Sequence, residues 1–169
     1  MSLEIGYRVE GLDRISAKAK DNVLFGPPLR HFFTAGAIAV QAEAKKLAPV
    51  DRGLLRSSIA YEIDTRAVPL YAKIGPNVTY GAYMEFGTGL FTDFAGAPMR
   101  RHWPPGAALD VWASRHGFKS GAQVAGIIGR RGGLRPRRYM RDGLEKAIPA
   151  IRRALQDAAR GIGRIWERR

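Results

Sequence analysis

The spacing of apolar residues changes along the chain, and each change predicts a different element. Residues 2–9 alternate between apolar and other side chains, the pattern of a half-buried strand at the edge of a sheet. Residues 12–23 carry apolar side chains at spacings of three and four. This predicts a short helix that stops before Gly-Pro-Pro at 26–28, because proline cannot continue it. Thr34 is the predicted N-cap of an alanine-rich second helix, and Pro49 ends that helix.

Alternation returns in the middle of the chain. Residues 55–63 place Leu55, Ser57, Ile59, Tyr61 and Ile63 on one side of an alternating pattern, and residues 70–74 alternate in the same way. This predicts two adjacent strands joined as a hairpin. Residues 80–84 set tyrosine and methionine one helical turn apart, and Gly87 ends that turn. A small antiparallel sheet followed by a helical turn is therefore expected.

The second half of the chain is predicted to be mostly helical. Residues 88–105 collect glycine, proline, arginine and aromatic residues without a period, which indicates a long loop. Two short helices are predicted at 105–116 and 120–130, and a long amphipathic helix with an apolar stripe is predicted over residues 140–162. Pro149 should kink this last helix, and its two late glycines should loosen its end.

Together these elements predict an α+β fold, in which a small antiparallel sheet packs against helices and a long amphipathic helix forms the C-terminal part. At 169 residues the chain has the size of one ordinary domain. We therefore expect a single domain over residues 1–169, with a long loop at about 88–105 and a helical insertion at about 105–133.

The composition argues against several kinds of chemistry. The chain has no cysteine, which rules out disulfides and every site that depends on a thiolate. Its three histidines are scattered, its serines do not stand in a nucleophile elbow, and no spacing brings two of its carboxylates together. We predict no catalytic residue, no metal site and no cofactor. No segment approaches about 18 uninterrupted apolar residues, so no membrane span is expected.

Positive charge is concentrated in the last quarter of the chain. Residues 130–169 hold 13 Lys and Arg against 4 Asp and Glu, a net +9 of the total +13. Such a cluster attracts nucleic acid or an acidic protein surface before any specific contact forms. The candidate residues for this contact are Arg130, Arg131, Arg138 and Arg141. A solvated linker into the last helix is an equally simple interpretation of this arginine-rich stretch.

Three segments of the chain, taken in order, are similar to one known family. They are AKKLAPVDRGLLRSSI at 44–59, YGAYMEFGTG at 80–89 and RPRRYMRDGLEKAI at 135–148. Their order and separation resemble the neck and tail-completion (head-to-tail connection) family of long-tailed double-stranded-DNA bacteriophages, whose members are tail components. A Trp-x-x-Arg-x-Gly stretch at 112–117 resembles a frequent insertion in such proteins.

The resemblance assigns structural roles to residues in all three segments. These residues are Pro49, Asp51, Arg52, Gly53, Leu55, Arg56, Tyr80, Tyr83, Glu85, Phe86, Gly87, Thr88, Arg135, Pro136, Arg137, Tyr139 and Met140. The chain departs from the family pattern at several of them and at their neighbours. Arg52 stands where threonine is usual, Arg138 and Tyr139 replace proline and phenylalanine, and Asp142 with Gly143 replaces proline and alanine.

The resemblance implies a subunit of a ring at the phage head-to-tail junction, without enzymatic activity, in the neck or at the top of the tail of the virion. Rings of six copies are expected, and twelve is the alternative. The implied partners are other copies of the chain and head connector or stopper, tail-terminator or tail-tube proteins. DNA in the channel would make weak, non-specific contact. A basic nucleic-acid-binding protein that uses the arginine-rich last quarter is the alternative function.

Glu85 is predicted to be a structural acid and not a catalytic one. Its aromatic and apolar neighbours should be largely buried, so its carboxylate needs an arginine or backbone amides as a partner. The candidate arginines are Arg52, Arg56 and Arg137. Their proximity to Glu85 would explain why the three segments occur together.

The long loop contains three candidate interface residues, Phe91, Phe94 and Trp103. Exposed aromatic side chains of this size usually mark contacts between proteins. The alternative is that the loop folds back onto its own core.

Overall fold

The computed structural model describes residues 22–64 and 71–167. Its helices are α1 (Asn22–Leu47), α2 (Leu54–Ser58), α3 (Tyr80–Phe86), α4 (Asp110–Arg115), α5 (Gly121–Arg131) and α6 (Tyr139–Glu167). Strands β1 (Ile59–Asp64) and β2 (Tyr71–Pro76) form a two-stranded antiparallel sheet, and short 3-10 turns occupy Gly89–Phe91 and Gly106–Leu109. The predicted α+β class is confirmed. The strand predicted over 2–9 and nearly all of the helix predicted over 12–23 lie outside the described residues.

The described chain forms two compact units, which we call the helix unit and the motif unit. The helix unit comprises residues 22–46, 59–64, 71–75 and 143–167, and so holds most of α1, the sheet and most of α6. The motif unit comprises residues 47–58 and 76–142 and holds the other elements. Of the three segments that resemble phage tail components, the first lies mostly and the second wholly in the motif unit. The third begins in the motif unit and extends along α6.

In the helix unit, α1 and α6 pack through small side chains. The buried residues of the two helices are Ala37, Val40 and Ala44 on α1 and Ala147, Ala154 and Ala158 on α6. A Cβ atom built on Gly143 would lie 2.8 Å from the Cα atom of Ala44, so the two backbones nearly touch there. A Cβ atom on Gly36 would lie 3.7 Å from Ile151. Because early α1 residues meet late α6 residues, the two helices are antiparallel.

The helix break predicted at residues 26–28 is wrong. Helix α1 continues through both prolines, so Thr34 is an interior residue and not an N-cap. Pro27 and Pro28 are the sixth and seventh residues of α1, so each loses a helical hydrogen bond and crowds the carbonyl four residues earlier, a cost that other contacts must offset. Pro28 also lies close to Gly161 of α6, where a Cβ atom would be 3.5 Å from the proline ring. Packing between the helices therefore outweighs the local signal to stop.

The strand predicted over residues 55–63 is wrong in its first half. Leu54–Ser58 forms α2, and β1 begins only at Ile59. The hydroxyl of Ser57 donates to the carbonyl three residues earlier at 3.0 Å, which a helical turn allows. Leu55 and Ile59 are both buried, and their spacing of four fits one face of a helix as well as it fits alternation. The hairpin of β1 and β2 is confirmed.

The long helix predicted near the C-terminus is confirmed as α6, which contains Pro149 and continues through both late glycines instead of loosening there. Its predicted apolar stripe is only partly buried, with Ile151 lying against Gly36 of α1. Ile148 and Leu155 of that stripe are 39% and 51% exposed, whereas the alanines of α6 are buried. Small residues take the buried face because α1 lies too close for larger ones. Among the residues that the structure describes, no helix has the length and apolar character to cross a membrane.

Helices α3 and α5 of the motif unit lie within one residue of their predicted ends. Helix α3 ends just before Gly87, as predicted. The hydroxyl of Ser120 caps α5 by accepting a hydrogen bond from the Gln123 amide at 3.3 Å, and Gly132 ends α5 with a φ of 98°. The guanidinium of Arg101 donates to the last carbonyls of α5. The long loop is therefore attached to the end of α5.

Candidate functional site

Glu85 is buried in the motif unit, with only 6% of its surface exposed. Its Oε2 atom accepts a hydrogen bond from the backbone N–H of Met140 at 2.7 Å, and its Oε1 atom accepts one from Arg141 at 3.0 Å. Both amides belong to the first turn of α6, where N–H groups have no partner within the helix. The carboxylate therefore caps α6 and also meets the positive end of the helix dipole.

The sequence predicts either an arginine or backbone amides as the partner of this carboxylate. The structure shows backbone amides. Arg137 joins the same region through its backbone, whose N–H donates to the Met84 carbonyl at 2.8 Å. Arg52 and Arg56 have exposed side chains. The expectation that neighbouring tyrosines would be largely buried is wrong for Tyr80 and Tyr83, which are 40% and 54% exposed.

Residues 84–90 and 132–138 run side by side, and we call this pair of segments the motif junction. The N–H of Thr88 donates to the Leu134 carbonyl at 2.8 Å, and the Thr88 hydroxyl accepts from the Leu134 N–H at 3.0 Å. The N–H of Leu90 donates to the Gly132 carbonyl at 3.0 Å. The second and third family-like segments therefore form one structural feature, although they are far apart in the sequence.

Gly87 of the motif junction requires glycine for two independent reasons. Its φ is 71°, a conformation that side chains with a Cβ atom rarely adopt. A Cβ atom there would also lie 2.6 Å from the Leu134 carbonyl oxygen and 2.8 Å from the Pro136 nitrogen. The two segments could not approach this closely with any other residue at position 87.

Tyr139 begins α6 and is completely buried. Its hydroxyl donates to the Gly81 carbonyl of α3 at 3.2 Å. Burial raises the pKa of the Tyr139 phenol well above its ordinary value, and the negative charge of Glu85 raises it further. This hydrogen bond needs the phenolic oxygen, so phenylalanine could not make it.

Asp93 connects the long loop to the start of α6. Its Oδ2 atom accepts from Arg138 Nε at 3.0 Å and from Arg141 Nη1 at 3.1 Å, and its Oδ1 atom is buried without a hydrogen-bond partner among the described residues. Arg138 has a φ of 51°, which makes it the one described residue other than glycine with a positive φ. Proline is locked near −65° and could not take this conformation.

The first family-like segment is tied to the helical insertion. Asp51 forms a salt bridge with Arg115 of α4 at 2.9 Å and lies 3.4 Å from the Nε2 atom of His116. The ring of His116 stacks on Trp112, with centroids 3.9 Å apart. Sequence reasoning named Asp51 but missed Arg115 and His116. The signal that could have found them is the Trp-x-x-Arg-x-Gly spacing, which places the arginine one turn after the tryptophan.

The three aromatic residues of the long loop have different environments. Phe94 packs edge-on against Phe86, with centroids 5.1 Å apart, and Phe91 lies under the guanidinium of Arg135 at 5.3 Å. Trp103 is 57% exposed, although its indole lies against Gly129. The loop therefore folds back onto the motif unit at its start and leaves an exposed indole near its end.

The remaining candidate residues have simple positions. Arg130 and Arg131 are exposed at the end of α5. Pro49 and Gly53 flank Asp51 before α2, and Gly53 has a φ of 76°. In the described part of the chain, no group of three or more His, Asp or Glu side chains is placed to hold a metal ion.

Comparison with known proteins gives one family. Residues 30–87 match the model of the HK97-gp10-like family, described as Bacteriophage HK97-gp10, putative tail-component. The matched stretch contains the first family-like segment and residues 80–87 of the second, and the resemblance to phage tail components is confirmed there. Searches of curated proteins and of solved structures found no match. A tail component is a structural part of the virion, so the match supports a structural, tail-related role.

Proposed function

We propose that this chain is a structural subunit of a ring at the phage head-to-tail junction, as a neck or tail-completion protein. The observation that carries the proposal is the match of residues 30–87 to a family of phage tail components. The geometry of the motif junction supports a structural role, because the buried Glu85 carboxylate is engaged with the first amides of α6. A carboxylate held in this way stabilises a turn and is not presented to a substrate.

An exposed apolar surface in the motif unit supports self-assembly. Tyr83, Leu90 and Trp103 are 54%, 40% and 57% exposed, and we call them the α5-end patch. Leu90 lies against Gly132 and Trp103 against Gly129, and the Tyr83 ring is 6.3 Å from that of His102. All three therefore surround the same helix end. Large exposed aromatic and aliphatic side chains that cluster in this way are typical of protein interfaces.

The helix unit exposes a second apolar surface. Ile38 of α1 and Ile148 and Leu155 of α6 are 48%, 39% and 51% exposed. Two different apolar surfaces on one chain suit a heterologous contact, in which one surface of a copy meets the other surface of the next copy. Such contacts close into a ring when the rotation between copies divides a full turn. We propose rings of six copies, with twelve as the alternative.

The proposed ring would join head connector or stopper proteins to tail-terminator or tail-tube proteins, and DNA would pass through it. A part of this kind is needed after the head is built and not for the chemistry of packaging. Deleting its gene should therefore leave filled or leaking heads separated from tails in micrographs of the lysate. Normal infectious particles in that lysate would contradict the proposal.

The direct test of the ring is a symmetric reconstruction of the neck and upper tail of the native particle. We expect density for several copies of this chain around the channel, with the α5-end patch buried between neighbours. As a matched solution test, Trp103→Ser should weaken assembly more than Val111→Ser, because both side chains are well exposed but Val111 lies outside the patch. A neck in which every ring is accounted for by other proteins would remove the proposal.

The alternative, a basic nucleic-acid-binding protein, rests on the net charge of +13. Salt separates the two functions. A ring held by apolar contacts persists at high salt, whereas a grip on many phosphates weakens steeply between about 50 and 200 mM. Tight, sequence-selective binding of DNA at high salt would favour the alternative.

A further inference from the structure

A shallow cavity of about 420 Å³ opens on the surface of the motif unit. We call it the arginine cavity, because its lining is dominated by arginine: Phe91, Arg135, Pro136, Arg137, Arg138 and Asp142. All three arginines have exposed side chains. Three guanidinium groups around one open cavity present many N–H donors to a single ligand.

Contacts within the motif unit position the backbone of Arg137 and Arg138 and the guanidinium of Arg135. The backbone N–H of Arg137 donates to the Met84 carbonyl, and that of Arg138 donates to the Glu85 carbonyl at 3.2 Å. The guanidinium of Arg135 lies over the Phe91 ring at 5.3 Å. Side chains that are already positioned lose less freedom when a ligand binds, so they bind more strongly for the same contacts.

Arg138 shows how the charge of the arginine cavity is shared. Its Nε atom pairs with Asp93 Oδ2 at 3.0 Å, and the same oxygen also accepts from Arg141. One carboxylate thus orients two arginines and neutralises only one of them. Positive charge remains in excess around the cavity, although Asp142 is part of its lining.

The arginine cavity calls for a negatively charged ligand, and another copy of this basic chain is a poor source of negative charge. The chain has 28 Lys and Arg against 15 Asp and Glu, so a second copy would bring more positive than negative charge. Phosphate groups match the fork of donors on arginine, and a duplex supplies them at regular spacing. Phosphodiester groups therefore fit the cavity better than a surface of a neighbouring copy does.

We propose that Arg135, Arg137 and Arg138 form a contact site for the phosphate backbone of duplex DNA. The proposal rests on the proposed function, which brings DNA past every copy of the ring. It assigns the weak DNA contact to one place in the motif unit and not to the basic outer face of α6. A contact to phosphates alone carries no sequence preference, which suits a channel through which DNA must slide.

The test compares two double variants that remove the same charge. Arg135→Gln with Arg137→Gln removes two arginines of the cavity and keeps the Arg138 pair with Asp93. Arg152→Gln with Arg153→Gln removes two exposed arginines of α6 outside the cavity. Binding of each protein to a short duplex of mixed sequence is measured by fluorescence anisotropy across about 50 to 200 mM salt. A thermal melt of each variant checks that it is folded.

We expect the cavity variant to bind the duplex more weakly than the wild type, and its affinity to depend less on salt. Each phosphate contact contributes about 0.9 to the slope of log affinity against log salt, so the slope should fall by about 2 in the cavity variant. Over that salt range the wild type should lose about tenfold more affinity than the cavity variant. The α6 variant should keep a slope close to that of the wild type.

Equal losses in the two double variants would overturn the proposal, because they would show a general effect of charge. Binding of polyglutamate that competes with the duplex at equal charge, and that depends on the same two arginines, would also overturn it in favour of an acidic protein partner. Failure here is distinguishable from failure of the proposed function. Ring formation and tail joining are scored separately, and neither depends on the result of the DNA titration.

Discussion

The helix unit and the motif unit are held together by different kinds of contact. In the helix unit, α1 and α6 meet through alanines and through Gly143, so the volume of the side chains decides the fit. In the motif unit, the two segments of the motif junction meet through backbone hydrogen bonds, glycines with positive φ and the Glu85 carboxylate. A substitution can change side-chain volume by a small amount, whereas it either keeps or abolishes a required φ or a hydrogen bond.

This difference explains why the two units look so different in the sequence. The helix unit needs only small residues at helical spacing, which many sequences provide. The motif junction needs glycine at position 87, an acid at position 85 and a hydroxyl at position 88, because each of them meets a specific backbone atom of residues 132–141. We therefore expect single substitutions to cost more stability in the motif junction than in the helix pair.

The largest effect is expected for Gly87→Ala. The added Cβ atom meets both a disfavoured φ and two backbone atoms closer than 3 Å, so the free energy of unfolding should fall by at least about 3 kcal/mol. Gly53→Ala is the matched control, since Gly53 also has a positive φ of 76° but has open space around it, and should cost about 1 kcal/mol. Chemical denaturation of both variants measures the difference. Similar losses would show that the close approach at Gly87 has no importance.

The next effect is expected for Glu85→Ala, which leaves two amides of α6 without their acceptor. Loss of this buried, charge-assisted cap should lower the free energy of unfolding by about 1 to 3 kcal/mol, and should impair assembly of the ring. Glu85→Gln keeps one acceptor oxygen and should lose about half as much. Glu43→Ala, which removes an acid paired with the exposed Lys46, should cost less than about 1 kcal/mol. Unchanged stability and assembly in both Glu85 variants would mean that the acid has no such role.

A smaller loss of stability is expected for Gly143→Ala, which tests the close packing of α1 and α6 in the helix unit. Gly143→Ala places a Cβ atom 2.8 Å from the Ala44 backbone, and overpacking there should outweigh the gain in helix propensity, with a net loss of about 1 to 2 kcal/mol. Gly163→Ala on the same helix meets nothing within 4 Å. It should instead stabilise the protein by up to about 1 kcal/mol. If thermal melts show that both variants change the melting temperature in the same direction, the result would be inconsistent with the close packing of the two helices.

The smallest effect is expected for Tyr139→Phe, which removes the hydrogen bond to the Gly81 carbonyl. At neutral pH the loss should be about 1 kcal/mol. The pKa of the buried phenol is raised in the folded state, so its stabilising contribution is complete below about pH 10 and is lost as the pH rises above it. The stability of the wild type should therefore fall more steeply than that of Tyr139→Phe as the pH rises above about 10. Parallel alkaline profiles for the two proteins would count against the buried phenol.

Local signals in the sequence predicted the elements that depend on a few neighbouring residues. Gly87 follows the last residue of α3, because a glycine with a positive φ acts within one turn. Helix α5 lies within one residue of its predicted range. For the site, the apolar neighbours of Glu85 predicted a structural acid that needs compensation, and the structure supplies it from backbone amides. The sequence could not predict that α6 supplies these amides, because every residue except proline has a backbone N–H.

The tertiary structure decided the features that depend on distant residues. Helix α1 runs through Pro27 and Pro28 because α6 packs along it. The alanines of α6 are buried while Ile148 and Leu155 are exposed, because α1 lies so close. The pairs Asp51 with Arg115 and Asp93 with Arg138 join residues far apart in the chain. By itself the sequence determined the α+β class, the family-like segments and the ends of the short helices, since these follow from contacts within a turn or from ordered motifs. Only folding brings two distant segments within hydrogen-bond distance, and so only the structure could show that the second and third segments form one junction.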